Sequence, residues 1–331
     1  MPVSVEWFSS IDAVAADAAG ALDRAAQPWL YDRIDWFRLT VTHIAPAARL
    51  AILRVRQREA AAWLFLVETG RRAAAPLASW YTLRFAPILA GRDSATLLPA
   101  LLDAAASRFD TIALHPLATP LSGAGWRGYS DRASTNWTID LPLPDFKSYW
   151  AARPKQVRNT VARRSRSHPL EIRIHRDVDA DVWRAYEDIY AASWKPAEGS
   201  LPFLRALAKQ EAAAGTLRLG LGHDAAGRAV AAQFWLVENG VATIHKLAHR
   251  EDAKAGSPGS LLSQAMFRSA IDEDRVRRID FGLGNEPYKA DWVDTPRSVW
   301  RTDLYRPTRL RGLVGIAQET AARLARRRPL D

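Results

Sequence analysis

Apolar positions along the chain fall into strand-length runs broken by turn residues, alternating with longer stretches of helical period. The first half opens on a short extended run, Val3–Phe8, followed by an Ala- and Leu-rich stretch, Ile11–Ala26, that predicts a helix. Pro28-Trp29 interrupts it before a second helical piece, Leu30–Thr42. Arg49–Arg56, Ala60–Thr69 and Ala78–Ala86 are apolar runs punctuated by Gly70, Arg71 and Pro76, which predict antiparallel strands. Leu97, Leu98, Leu101, Leu102 and Ala105 recur at helical spacing within Ser94–Phe109, and Thr111–His115 and Trp137–Leu141 return to strand.

Beyond a basic, helical connector, Phe146–Ser167, the order repeats. Leu170–His175 predicts a strand, Asp181–Ser193 a helix, and Pro202–Ala214 a second helix closed by Gly215. Thr216–Gly222 and Ala229–Glu238 form a hairpin across Asp224–Gly227. Val241–His249 joins it across Asn239-Gly240, a strong two-residue turn signal. Ser260–Asp274 predicts a helix, and Arg277–Gly282 and Val299–Tyr305 predict strands. The two halves share element order, without clear residue identity.

Length and composition agree with two globular lobes: 331 residues, 48% hydrophobic and 25% charged. The absence of cysteine excludes disulfides, thiol nucleophiles and cysteine-held zinc or iron–sulfur centres. The histidines show no metal spacing, so no metal is expected, and there is no Walker, Rossmann or Gly-x-Ser-x-Gly motif. No apolar run reaches membrane-spanning length, and the N-terminus lacks a basic leader, so a cytoplasmic protein is expected. The net charge of +10 is local: Lys147–Leu170 carries +7 and Leu304–Arg328 carries +6, leaving −3 for the rest. Such patches suit phosphates or acidic surfaces rather than marking the whole chain as a nucleic-acid binder.

The stretch Ala229–Lys289 carries the candidate chemistry. The loop Lys254-Ala255-Gly256-Ser257-Pro258-Gly259-Ser260 leads into a helix. Small residues permit close backbone approach, Lys254 adds positive charge, and free N–H groups at the helix start suit a diphosphate. An ordinary N-cap by Ser257 or Ser260 reads equally well from the loop alone. His245 is the base candidate by residue type, with the strand core as the alternative. Period-two alternation places it on a face with Thr243 and Leu247 and puts Lys246 opposite. A buried Lys246 would need a carboxylate, with Asp280 or Glu286 available. Asp280 ends an apolar strand, as a functional carboxylate or as a cap on Gly282–Gly284. Trp194 and Lys195, between a helix and Pro196, form an acceptor-pocket wall or an indole cover over the core with a solvated lysine. Lys289 is open in the same way.

Ala192-Ser193-Trp194-Lys195, Ala231-Ala232-Gln233 with Ile244-His245-Lys246-Leu247-Ala248, Ser257-Pro258-Gly259, and Asp280-Phe281-Gly282 with Tyr288-Lys289 together resemble the GNAT superfamily. Within it the resemblance is to the bacterial BioF2-like or CelD-like acetyltransferases, which are related to FemAB. It covers roughly residues 149–307, and the first half by architecture alone. Lys254–Gly259 matches the spacing of the family's pyrophosphate signature, with Lys for Arg/Gln and Ser for the first Gly. The resemblance implies a tandem α/β (α+β) GNAT fold, each lobe a mixed, largely antiparallel sheet flanked by helices. The lobes implied are a degenerate one at 1–145 and an acyl-CoA-binding one at 169–307. Between and after them lie the basic connector at 146–168 and an amphipathic basic helix and tail at 308–331.

The activity implied is transfer of an acyl group from acetyl-CoA or another acyl-CoA to an amine or hydroxyl, by direct attack in a ternary complex. Tyr288 takes the place of the thiolate-protonating tyrosine, with packing between the halves as its alternative. Lys254, Gly256, Ser257, Gly259 and Ser260 would hold the cofactor, and Trp194, Lys195, Lys246 and Lys289 the acceptor. A small-molecule or glycan acceptor, such as a sugar or a cell-envelope or exopolysaccharide precursor, is the expected partner. The rivals are a FemAB-like transferase using aminoacyl-tRNA, the one nucleic acid expected, and a non-catalytic binding protein on the same fold. Leu310, Leu313, Val314, Ala317, Ala321 and Leu324 share one face of a C-terminal helix with a basic end. That face would lie on an anionic membrane, peripheral to the inner membrane, or dock on its own domain.

Overall fold

The computed structural model describes residues 2–142 and 145–327; Arg328, part of the basic end, lies outside them. The chain forms two compact units interleaved in sequence. The first holds Met1–Ser134 and Ser298–Asp331, the second Thr135–Arg297. Both divisions fall inside strands, not at the 145/146 and 307/308 boundaries that the element order suggests.

In the first unit, β1 (Ser4–Phe8), β2 (Leu50–Gln57), β3 (Ala60–Gly70) and β4 (Ala73–Pro76) run antiparallel, with β5 (Ile88–Ala90) also on β3. β6 (Thr111–Leu117) then lies parallel to β4, through Ala73↔Thr111 and Ala74↔Ile112. A strand from the far end of the chain, β13 (Thr295–Tyr305), pairs antiparallel with β6. Helices α1 (Ile11–Ala18), α2 (Ile34–His43) and α3 (Leu98–Arg108) belong to this unit, whose fully buried side chains include Trp36, Trp63 and Phe65.

Two expectations fail here. The first helix stops at Ala18 rather than Ala26, because Ala19 turns into the left-handed region at φ 47°. Ala78–Ala86 is not a strand: Ser79 and Thr82 close a turn, and β4 and β5 pair with β3 on either side of it.

The second unit repeats the plan. β8 (Glu171–His175), β9 (Leu217–His223), β10 (Ala229–Glu238) and β11 (Val241–His249) are antiparallel. β12 (Arg278–Leu283) is parallel to β11, and residues 135–140 of β7 (Arg127–Asp140) close the sheet. The Asn239-Gly240 turn has both residues at positive φ, 52° and 76°, as its sequence predicts. Helices α6 (Ala180–Ala191) and α7 (Leu201–Ala213) start at Asp179 and Ser200, whose side chains accept N–H bonds, and α8 (Pro258–Arg268) follows the candidate loop.

The basic connector is two helices, α4 (Phe146–Ala151) and α5 (Lys155–Ser167), and it is not merely a solvated link. Phe146, Tyr149 and Val157 join the core formed by Trp235, Phe267 and Trp292. The Tyr149 hydroxyl donates to the Trp292 carbonyl at 2.7 Å. Arg163 and Arg166 of α5 are exposed on the outward side, while Arg158 and Arg164 are half-buried.

Candidate active site

β11 and β12 are paired only at Val241↔Arg278, Ala242↔Ile279 and Thr243↔Asp280. Beyond those three pairs the strands part, while β11 continues beside β10 to His249. A bulge accompanies the parting: Phe234 faces Lys246 and Trp235 faces Ile244, so His245 is the additional residue. Simple alternation therefore fails at this point. Ile244 and His245 are both buried, whereas Thr243 and Leu247 are only partly so.

The separated strand ends meet a cluster of lysines and glutamates. Lys246 Nζ lies 3.1 Å from Glu198 Oε1, whose side chain is 3% exposed. Glu198 is thus the partner of Lys246, in place of Asp280 or Glu286. The Tyr190 hydroxyl also bonds Glu198; burial first and this carboxylate second push its pKa up. Lys289 Nζ is held by Glu286 Oε2 at 3.0 Å and donates to the Leu283 carbonyl at 2.5 Å. Glu286 reaches back because Gly284, at φ 123°, leaves empty the place where a Cβ would strike its carboxylate. Lys195 stands among these groups. Burial, and then the charge of Lys246, lower its pKa to about 8, against the pull of Glu198 and Glu286.

The remaining candidates divide by exposure. Tyr288 is partly exposed, with its ring edge-on to Phe281 at 5.8 Å; burial and Glu286 raise its pKa to about 12, so it is protonated at neutral pH. His245 is 8% exposed beside Phe234. Burial, then Lys246, lower its pKa to about 3, so its imidazole is neutral. Asp280 accepts from the Gly282 N–H at 2.8 Å and from Asn136 Nδ2 at 3.0 Å. It therefore caps the turn, and burial raises its pKa. Trp194 is exposed and leans on His249 at 4.3 Å, while Lys195 Nζ lies 5.7 Å from the Trp194 ring.

The Lys254–Ser260 loop lies between β11 and α8. Ser257 is left-handed at φ 53° and gives no side-chain cap, so the N-cap alternative fails for it. Its carbonyl accepts the Ser260 and Leu261 N–H groups at 3.1 and 3.2 Å. The glycines admit neighbouring rings: a Cβ on Gly256 would lie 3.3 Å from His168, and one on Gly259 3.2 Å from His249. Lys254 is exposed and bonded to Glu251 at 2.8 Å, a surface pair weak enough to exchange for a ligand phosphate. Behind the loop a cavity of about 410 Å³ is lined by His168, Leu170, Arg228, Val230, Gly256 and Pro258.

The structure thus gathers Lys195, Lys246, Tyr288 and Lys289 at the strand ends and groups the loop residues separately near α8. Sequence reasoning missed Glu198, Tyr190 and Asn136. Glu198 pairs with a residue 48 positions away, which no local pattern marks. Among the described residues, no group of three or more His, Asp or Glu is placed to hold a metal.

The parting strands β11 and β12 and the loop before α8 all lie within the stretch that a family model covers. Residues 151–290 match the model of the acetyltransferase (GNAT) domain, a class that generally uses acyl-CoA. Among solved structures, the chain is similar to FemX, with 8% identity, TM-score 0.53, and 82% of this chain and 94% of that one covered. It is also similar to L-PGS from Bacillus licheniformis, at 14% identity and TM-score 0.52, covering 81% and 87%. A third is the C-terminal domain of an Agrobacterium fabrum protein assigned as a lysylphosphatidylglycerol synthetase. It shows 13% identity and TM-score 0.52, covering 78% and 85%. At these identities the likeness is one of fold. No curated protein matches the sequence.

Proposed function

We propose that the second unit binds an acyl-CoA, acetyl-CoA in the simplest case, and transfers its acyl group to an amine or hydroxyl acceptor in a ternary complex. The observation that carries this reading is the parting of β11 and β12 after three residue pairs, with Lys195 and its charged neighbours at the opening. An acyl thioester lying between the strands would meet β-strand N–H groups able to hold its carbonyl oxygen. The loop from Lys254 to Ser260 and the cavity behind it would take the diphosphate and nucleotide ends.

In the proposed reaction the acceptor nitrogen or oxygen bonds to the thioester carbon, and its proton passes to a base. The carbon–sulfur bond then breaks and the departing thiolate takes a proton. Lys195 suits the base: with a pKa of about 8, a useful fraction is neutral at neutral pH. Tyr288 carries the proton for the thiolate. Burial and Glu286 raise its pKa to about 12, so it is a weaker acid than an ordinary tyrosine and donates only as the thiolate departs. Lys246 and Lys289, both ion-paired, would orient an acceptor bearing anionic or hydroxyl groups, such as a sugar or an envelope or exopolysaccharide precursor.

One observation favours a second donor: the outward face of α5 presents Lys155, Arg163 and Arg166, and the helix carries no acid. Such a face suits the backbone of an aminoacyl-tRNA. Thermal unfolding with acetyl-CoA, free CoA and charged tRNA separates the two. Acetyl-CoA at about 100-fold over its Kd stabilises by roughly 2.7 kcal/mol, and Lys254→Glu should reduce that shift. No shift with any CoA species, together with salt-sensitive tRNA binding, would replace the CoA reading with the second. No response to either leaves a non-catalytic binding protein.

A further inference from the structure

The C-terminal helix α9 (Leu310–Arg327) rests on its own unit by the face opposite to its apolar stripe, so of the two readings of that stripe the docking one fails. Gly312 is buried, and Gly315, Ile316, Glu319, Ala322 and Arg323 are half-buried, at a spacing of three to four that makes one inward stripe. The two glycines set the approach: a Cβ on Gly312 would overlap the Arg306 carbonyl, and one on Gly315 the Tyr305 ring. The inward face is secured by polar bonds. Arg323 pairs with Glu319 at 2.7 Å and with Asp131, and the Tyr129 hydroxyl lies 2.9 Å from Thr320 Oγ1.

The apolar stripe consequently points away from its own unit. Leu310, Leu313 and Leu324 are 79%, 50% and 61% exposed, and Val314 is exposed with them. With Ala317 and Ala321 they fall within an arc of about 100° at the helical angle of about 100° per residue. Arg309 and Arg311 are exposed on either side of its start and make no ion pair among the described residues. Glu319, the one acid of Leu304–Arg328, is turned inward, and Arg323 and Arg326 lie within 2.7 and 3.7 Å of it. The outer face therefore shows hydrocarbon and positive charge, with its carboxylate withdrawn. No described helix is long and apolar enough to cross a membrane.

We infer that the outer face of α9 lies on an anionic lipid surface, leucines in the acyl boundary and Arg309 and Arg311 among the lipid phosphates. Charge complementarity selects this occupant: a second copy seated on the same stripe would bring one positively charged face, with Arg309, Arg311 and Arg326, against another. An interfacial helix of this kind binds by buried apolar area plus attraction to acidic headgroups, so both parts are required.

Vesicle flotation with the full chain tests this, using phosphatidylcholine alone and phosphatidylcholine mixed with phosphatidylglycerol. The wild type should float with the anionic vesicles and be released by high salt. Leu313→Gln/Leu324→Gln should abolish flotation. Arg309→Gln/Arg311→Gln should weaken it by roughly 25-fold, at about fivefold for each arginine. All four substituted positions are exposed, so the unfolding temperature should be unchanged in both variants. Failure of the wild type to float, or undiminished flotation of the leucine variant, would overturn the inference. A wild-type dimer that the leucine variant dissociates, without vesicle binding, would assign the stripe to self-association instead. None of these readouts depends on the proposed acyl transfer.

Discussion

The parallel strand pair occurs twice in this molecule, and the two copies end differently. In the first unit β4 pairs with β6 at two positions and stops at Pro76, two residues beyond the second. The chain then turns away and returns, so that Phe85 bridges Leu117 and its N–H bonds the Pro116 carbonyl at 2.7 Å. Leu77, Tyr81 and Phe85 are all buried there. In the second unit β11 runs on past its last pair with β12, and the corresponding opening is lined by Lys246, Lys195, Glu198 and Lys289. Filling such an opening with aromatic side chains stabilises a sheet. Lining it with half-desolvated charges costs stability, and that cost is characteristic of a functional site. The comparison supports reading the first unit as a structural counterpart and the second as the chemical one.

The strongest way to break the comparison is to cut the chain. The first sheet is closed by β13 from the far end of the chain, and the second by β7, which precedes its other strands. A polypeptide of residues 1–145 lacks β13, including buried Val299, Thr302 and Leu304. It should show no cooperative thermal transition by circular dichroism. A folded 1–145 would mean that the first unit is complete without β13.

The next test addresses the aromatic filling. Phe85→Ala should cost about 3–5 kcal/mol in chemical denaturation, as for other buried phenylalanines, and should leave the acetyl-CoA-induced shift intact. Loss of ligand response in a folded Phe85→Ala protein would show that the first unit's opening takes part in binding. The charged opening should behave differently. Lys246→Met removes the ion-pair partner of buried Glu198, leaving it the Tyr190 hydroxyl and nearby Lys195, and should destabilise by about 2–3 kcal/mol, somewhat less than a fully dry pair. Adding Glu198→Gln should restore most of that, because the cost lies in the uncompensated charge. A double variant as unstable as the single one would mean that the cluster contributes packing rather than electrostatics.

These differences also mark what the sequence can express. Asn239-Gly240, the stop at Gly215 and the strand-length apolar runs were legible because their causes are local, within a few residues. The GNAT-type resemblance rests on such runs, and the match over residues 151–290 agrees with it. The bulge at His245 was not legible, since a period-two pattern carries no mark of an added residue until its partner strand is known. Lys246–Glu198 and Asn136–Asp280 join positions far apart in the chain, so residue type alone left several carboxylates open. The role of the apolar stripe of α9 stayed open between a membrane and its own domain for a similar reason. Helical period identifies the apolar stripe, but the close approach was decided by Gly312 and Gly315, which a hydrophobicity pattern ranks as neutral.

The smallest effect concerns protons. His245 has a folded-state pKa depressed to about 3 by burial and by Lys246, against an unfolded value of 6.5. Between those values the unfolded chain binds the proton and the folded one does not. Its contribution is therefore fully present above pH 6.5 and is lost as the pH falls towards 3, by about 1.4 kcal/mol per unit. His175, also lowered mainly by burial, acts with the same sign, as do ion-paired carboxylates. The informative quantity is consequently the difference between wild type and His245→Asn, followed by urea denaturation from pH 7 to pH 5. The variant should lose less stability over that range, by roughly 1–2 kcal/mol. Parallel curves would mean that His245 takes up its proton in the folded state at an ordinary pH. The second unit's opening would then be wetter than its 8% exposure indicates, and His245 would join Lys195 as a group able to accept the acceptor's proton.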